Sequence, residues 1–124
     1  MKLRISRRAG FTLVEMGIVV AIVGLLASIA IPVSVRARTT SQTNTCINNL
    51  REIESATQQW ALETRQNPSA TVTFDDIKDY LRNQVICPSG GGDGTFASSY
   101  QLNGVTNRPT CMVSPETHVL PTSN

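Results

Sequence analysis

No CxxC pair occurs in this 124-residue sequence, no basic cluster lies outside its first ten residues, and His118 is its one histidine. The three cysteines, Cys46, Cys87 and Cys111, stand far apart, which excludes a thioredoxin-like motif and disfavours a zinc ribbon. The net charge of +2 conceals an asymmetry: Lys2, Arg4, Arg7 and Arg8 give the first ten residues +4, while the remainder carries seven basic and nine acidic side chains. Beyond that start there is no Lys/Arg-rich face to neutralise phosphates, so nucleic acid is not an expected partner. The glycine-rich run at 87–94 lacks the lysine and spacing of a phosphate-binding loop. No motif places a nucleophile, a base and an orienting group together, so no catalytic residue and no cofactor are expected.

What is present is a long apolar run. Residues 11–31 carry one charge, Glu15, and as a helix would span about 32 Å, the thickness of bilayer hydrocarbon. The positive charges before it hold the start of the chain in the cytoplasm and place the carboxy-terminal part outside. A secretory signal peptide would show a shorter apolar stretch and no acid within it, although Ser28-Ile29-Ala30 offers small residues for cleavage. An ionisable group in a span costs about 2.5–3.5 kcal/mol at the helix centre, less near an end, and calls for a partner. The run contains no Lys, Arg or His, so the cation must come from another chain or from processing. Cutting between Gly10 and Phe11 would create an α-ammonium about 6 Å along the helix from Glu15. Within one helix the two groups are poorly placed to meet. Between axially staggered neighbours the ammonium of one subunit can reach the carboxylate of the next, which makes Glu15 an assembly device.

The segment Arg8-Ala9-Gly10-Phe11-Thr12-Leu13-Val14-Glu15 resembles the class III signal of type IV prepilins and type II secretion pseudopilins. The resemblance covers the first third of the chain closely and the remainder in general layout. It implies a leader at 1–10 removed by an inner-membrane prepilin peptidase, with cleavage between Gly10 and Phe11 and N-methylation of Phe11. It also implies a polymerisation helix at 11–32, a periplasmic part at 33–124, and partners among copies of itself, other pilin-like subunits, an assembly platform and membrane lipid. Filaments of that family melt the helix between the positions that are here Gly24 and Pro32. Related major pseudopilins often bind calcium through several acids in their last loops. Here only Asp93 and Glu116 follow the second predicted helix, a departure from that pattern.

Gly17 with Ala21 and Gly24 with Ser28 form small-xxx-small pairs suited to close helix approach, or reflect the general abundance of small residues in membrane helices. Pro32 should kink or loosen the helix. Residues 39–45 are poor helix material, so a frayed stretch is expected there. An amphipathic helix is expected at about 46–65, with Ile47, Leu50, Ile53, Thr57, Trp60 and Ala61 on its core face, ending before Pro68. Trp60 reads as core rather than as a ligand-stacking residue. A second short helix starts at Thr73, with Phe74, Ile77 and Leu81 inward and Asp75, Asp76 and Asp79 as charges at its start and solvated face. Residues 95–102 and 105–113 read as two strands joined at Asn103-Gly104, the second weakened by Pro109. The expected fold is α+β and pilin-like: a long N-terminal helix, a short second helix and a small antiparallel sheet packed on the C-terminal half of the first.

A disulfide between Cys87 and Cys111 would close a loop of about twenty-five residues and stabilise by about 3–4 kcal/mol. Cys46 then remains a buried thiol or replaces one of the pair. Zinc held by the three cysteines and His118 is a rival that irregular spacing and an oxidising compartment disfavour, so the expectation is no metal. The function expected is a structural subunit of a type IV pilus or secretion pseudopilus. The alternative is a membrane-anchored binding module with a non-polymerising tether.

Overall fold

A computed structural model describes residues 10–82 and 85–122; residues 1–9 of the expected leader lie outside them. The chain divides into two compact units, Met1–Ala37 and Arg38–Asn124, and helix α1, Leu13–Glu63, contributes to both. In the first unit α1 begins with a capping box that the sequence reading did not anticipate. Thr12 is the N-cap: its N–H and hydroxyl donate to Glu15 Oε2 at 2.8 and 2.7 Å, and its Oγ1 accepts from the Glu15 N–H at 3.2 Å. Two donors left without helical partners are thereby satisfied reciprocally. The helix runs through residues 24–32 with Pro32 inside it, and the Ser28 hydroxyl donates to Leu25 O at 2.7 Å.

In the second unit residues 39–45 are helical, not frayed. The Thr43 and Thr45 hydroxyls donate to the carbonyls of Thr39 and Ser41, at 3.1 and 2.9 Å, so side chains that could compete with the helix are turned back onto it. The apolar stripe then meets the core: Cys46, Leu50, Ile53, Ala56, Thr57, Trp60 and Ala61 are buried, with Ile47 half-buried beside them. Trp60, 9 % exposed, is a core residue. The helix closes with Arg65 at φ 52° and the Gln66 N–H bonded back to Ala61 O at 2.9 Å, the left-handed C-terminal arrangement usually assigned to glycine.

Helix α2, Phe74–Ile77, starts at Thr73 and passes into a 3₁₀ turn at Lys78–Tyr80. Of its acids, Asp76 accepts from the Thr73 N–H and hydroxyl at 2.9 and 2.6 Å, and Asp75 pairs with Lys78 at 3.1 Å, so both serve the helix itself. The Tyr80 hydroxyl donates to Glu63 at 2.7 Å, which ties this segment to the end of α1 and holds the Glu63 carboxyl below its usual value.

The hairpin is shorter and differently made than alternation predicts. Residues 96–99 form a short helix, α3 (Phe96–Ser99), because Thr95 and Ser98 build a further capping box. The strands shrink to β1, Tyr100–Gln101, and β2, Thr110–Cys111, antiparallel with Tyr100 opposite Cys111. Asn103-Gly104 is therefore not a two-residue turn. The intervening loop is stapled by its own amides, Asn103 Nδ2 to Arg108 O at 3.0 Å and Asn107 Nδ2 to Asn103 O at 3.1 Å. It docks onto residues 68–70 through Val105 N–H to Ala70 O at 3.3 Å and Thr106 Oγ1 to Pro68 O at 3.1 Å.

Candidate functional site

The first unit offers a long apolar helix that nothing among the described residues covers. An 18-residue window of α1 has a mean hydropathy of 2.7 and no part of it is buried; Phe11 and Leu26 are 83 % and 64 % exposed. At Gly17 and Gly24 an added Cβ would meet nothing within 4 Å, so their small size serves no contact inside the described chain. Glu15 sits one turn from the helix start, with Oε2 taken by Thr12 and Gly10 and Phe11 just ahead of it. An uncovered apolar helix, an acid near its start and a Gly-Phe junction ahead of that acid together are what a membrane-inserted precursor presents. A family model described as the prokaryotic N-terminal methylation motif matches residues 5–31.

The chain bears a prepilin-type signal. That motif spans Gly10, Phe11, Glu15, Gly17 and Gly24, and with the apolar helix it supports a pilin-like, membrane-anchored precursor. Neither the curated proteins nor the solved structures yielded a match to the chain.

The second unit holds a constellation that lies outside the matched motif. Cys46, Cys87, Cys111 and His118 bring one ligand atom each to within 4.8 Å of one another, and all four side chains are buried. Four separate pieces of chain supply them. Cys46 comes from the core face of α1; Cys87 precedes the 3₁₀ turn Pro88–Gly90, where Gly90 N–H bonds back to Cys87 O at 3.0 Å. Cys111 lies on β2, and His118 closes a turn with its N–H on Ser114 O at 2.9 Å. Cys87 and Cys111 are neighbours, as a disulfide would require, but all three cysteines are free thiols and the two sulfurs stand 3.8 Å apart. Cys46 and His118 join the two cysteines expected to pair, which makes a four-membered cluster.

His118 Nδ1 faces both Cys87 Sγ and Cys111 Sγ at 3.6 Å, and its Nε2 lies 3.3 Å from Thr43 Oγ1. The Thr43 hydroxyl proton is committed to Thr39 O, so Oγ1 is an acceptor and Nε2 carries the ring proton. Nδ1 then directs its lone pair at the sulfurs. On the other side the Tyr100 hydroxyl donates to Cys46 Sγ at 3.5 Å and accepts from Asn49 Nδ2 at 3.0 Å, which also donates to Ile86 O at 3.0 Å. Burial pushes the Cys46 thiol up, against the opposing effect of the Tyr100 hydroxyl, and burial likewise raises the Tyr100 phenol. Asp93 and Glu116, the acids that follow the 3₁₀ turn at Lys78–Tyr80, are both exposed.

Proposed function

We propose that this protein is a structural filament subunit, made as a precursor that crosses the inner membrane once with its leader in the cytoplasm and its carboxy-terminal part in the periplasm. Prepilin peptidase cuts between Gly10 and Phe11, Phe11 is N-methylated, and the mature chain polymerises with copies of itself and other pilin-like subunits on an assembly platform. The fibre is a type II secretion pseudopilus or a type IV pilus, and the subunit catalyses nothing. One observation carries this reading: a helix whose exposed apolar first part lies within a methylation motif and carries an acid in its first turn. Such a helix needs apolar surroundings, and the bare flanks of Gly17 and Gly24 suit close approach by a second helix.

The capping box favours a second reading. Thr12 alone satisfies one oxygen of Glu15, so the acid could serve only to start the helix of a membrane tether. Glutamine preserves a capping box but not the charge, so Glu15→Gln separates the two. Insertion and leader cleavage are expected to persist while filaments, collected by shearing and scored by immunoblot, disappear; wild-type filament yield would leave the tether as the better account. Glu15→Ala is expected to behave like Glu15→Gln in the filament assay. Mass spectrometry of the purified chain should find a methylated Phe11 at its start.

A further inference from the structure

We propose that Cys46, Cys87, Cys111 and His118 form a tetrahedral zinc centre that fastens the carboxy-terminal segments of the second unit to α1. The geometry carries it. With Zn–S bonds of about 2.3 Å and a Zn–N bond of about 2.0–2.1 Å, a regular tetrahedron has S···S edges of about 3.8 Å and S···N edges of about 3.5–3.6 Å. The observed edges are 3.8 Å between the Cys87 and Cys111 sulfurs and 3.6 Å from each to His118 Nδ1. Cys46 completes the set within the 4.8 Å that encloses all four ligand atoms. Three of the six edges are thus at tetrahedral length, and a donor set of three sulfurs and one imidazole nitrogen selects zinc over hard cations, which take oxygen ligands.

The surroundings are those of ligands held in place. Zinc-bound histidines donate their second ring N–H to a fixed acceptor; His118 does so to Thr43, whose own proton is spent on Thr39. Zinc thiolates take hydrogen bonds from outside the coordination sphere, and the Tyr100 hydroxyl, oriented by Asn49, points at Cys46. Thr43, Cys46 and Asn49 recur at intervals of three along α1, so a single helix face presents a ligand and the supports of two. A disulfide would use two of the sulfurs and leave the third, the imidazole and this support without a role. A hollow of about 210 Å³ lined in part by Arg108, Cys111 and His118 gives the ion a way in. Loading forms three Zn–S bonds and one Zn–N bond and releases three thiol protons to solvent. No electron moves, so no oxidant is required. The proposal stands apart from filament assembly, since none of its residues lies in the methylation motif.

The test uses the full chain, solubilised from membranes in detergent and washed with EDTA. Elemental analysis is expected to find about one zinc per chain, with three alkylatable thiols after the metal is stripped in denaturant. Cobalt(II) added to stripped, refolded chain should give the intense visible bands of a tetrahedral thiolate site. Thr43→Val keeps every ligand, and is expected to hold zinc about 10–100-fold less tightly against a competing chelator. Cys87→Ser and Cys111→Ser should lose stoichiometric metal. Less than about one tenth of a zinc per chain together with a Cys87–Cys111 cross-linked peptide would overturn the proposal, as would another metal at full occupancy, or Thr43→Val binding zinc like the wild type.

Discussion

At Gly104 one backbone angle decides what the position accepts. Its φ is 113°, and a Cβ there would stand 3.1 Å from Ala70 O, the carbonyl that receives Val105 N–H. Gly104→Ala is expected to lose about 1–3 kcal/mol, measured by urea unfolding followed through Trp60 fluorescence; an unchanged midpoint would mean that the loop is not docked on residue 70. Asn103-Gly104 shows both the reach and the limit of reading residues in isolation. The dipeptide signals a positive φ, and there is one, but the need comes from a neighbour 34 positions earlier in the chain. Glu15 carries the same lesson in reverse. Its oddity as a lone charge in an apolar run points to a distant partner, while the Thr12-x-x-Glu15 capping pattern supplies one within the same turn.

At the scale of elements, periodicity located what burial controls. The stripe from Ile47 to Ala61 was legible because apolar side chains recur at helical spacing, and Ile53 is fully buried in it. Ile53→Ala should cost about 2–5 kcal/mol through lost burial and the cavity left behind, seen as a lowered urea midpoint with little change in its slope; a loss under about 0.5 kcal/mol would deny this face its part in the core. Propensity fails over 39–45 because threonine's low helix preference takes no account of what its hydroxyl bonds. Thr43 both donates back to Thr39 and accepts from His118, so a residue unfavourable by propensity is kept by a tertiary contact. Residues 95–102 failed for a related reason: partial alternation suggested a strand, but the Thr95-x-x-Ser98 box starts a turn of helix first.

For the molecule as a whole, the methylation motif was legible because its chemistry is local: a junction, an acid and an apolar run within one stretch. The four-residue cluster was legible only as a set of candidate ligands and not as neighbours, since its members come from four separated segments and linear spacing detects only ligands that share a loop. The T-x-x-C-x-x-N run on α1 was the available signal, and it has meaning only once Tyr100 and His118 are known to lie opposite. With strands of two residues each and a core drawn from fewer than ninety positions in the second unit, bound metal should carry a large share of its stability. The unfolding free energy is therefore expected to rise with free zinc, by about 1.4 kcal/mol for each tenfold increase above the dissociation constant; thermal scans in metal buffers whose midpoints do not move would make the ion a passenger.

The bare flank of α1 bears on how such a subunit could change places. Leaving lipid for the interior of a fibre trades one oily environment for another, so the bulk of the helix is nearly indifferent to the move. The direction of travel is then left to the few groups that are not oily: the carboxylate beside Thr12 and, in the mature chain of the proposed function, the amino terminus of Phe11. One pair of opposite charges would thus steer a rod about thirty ångströms long.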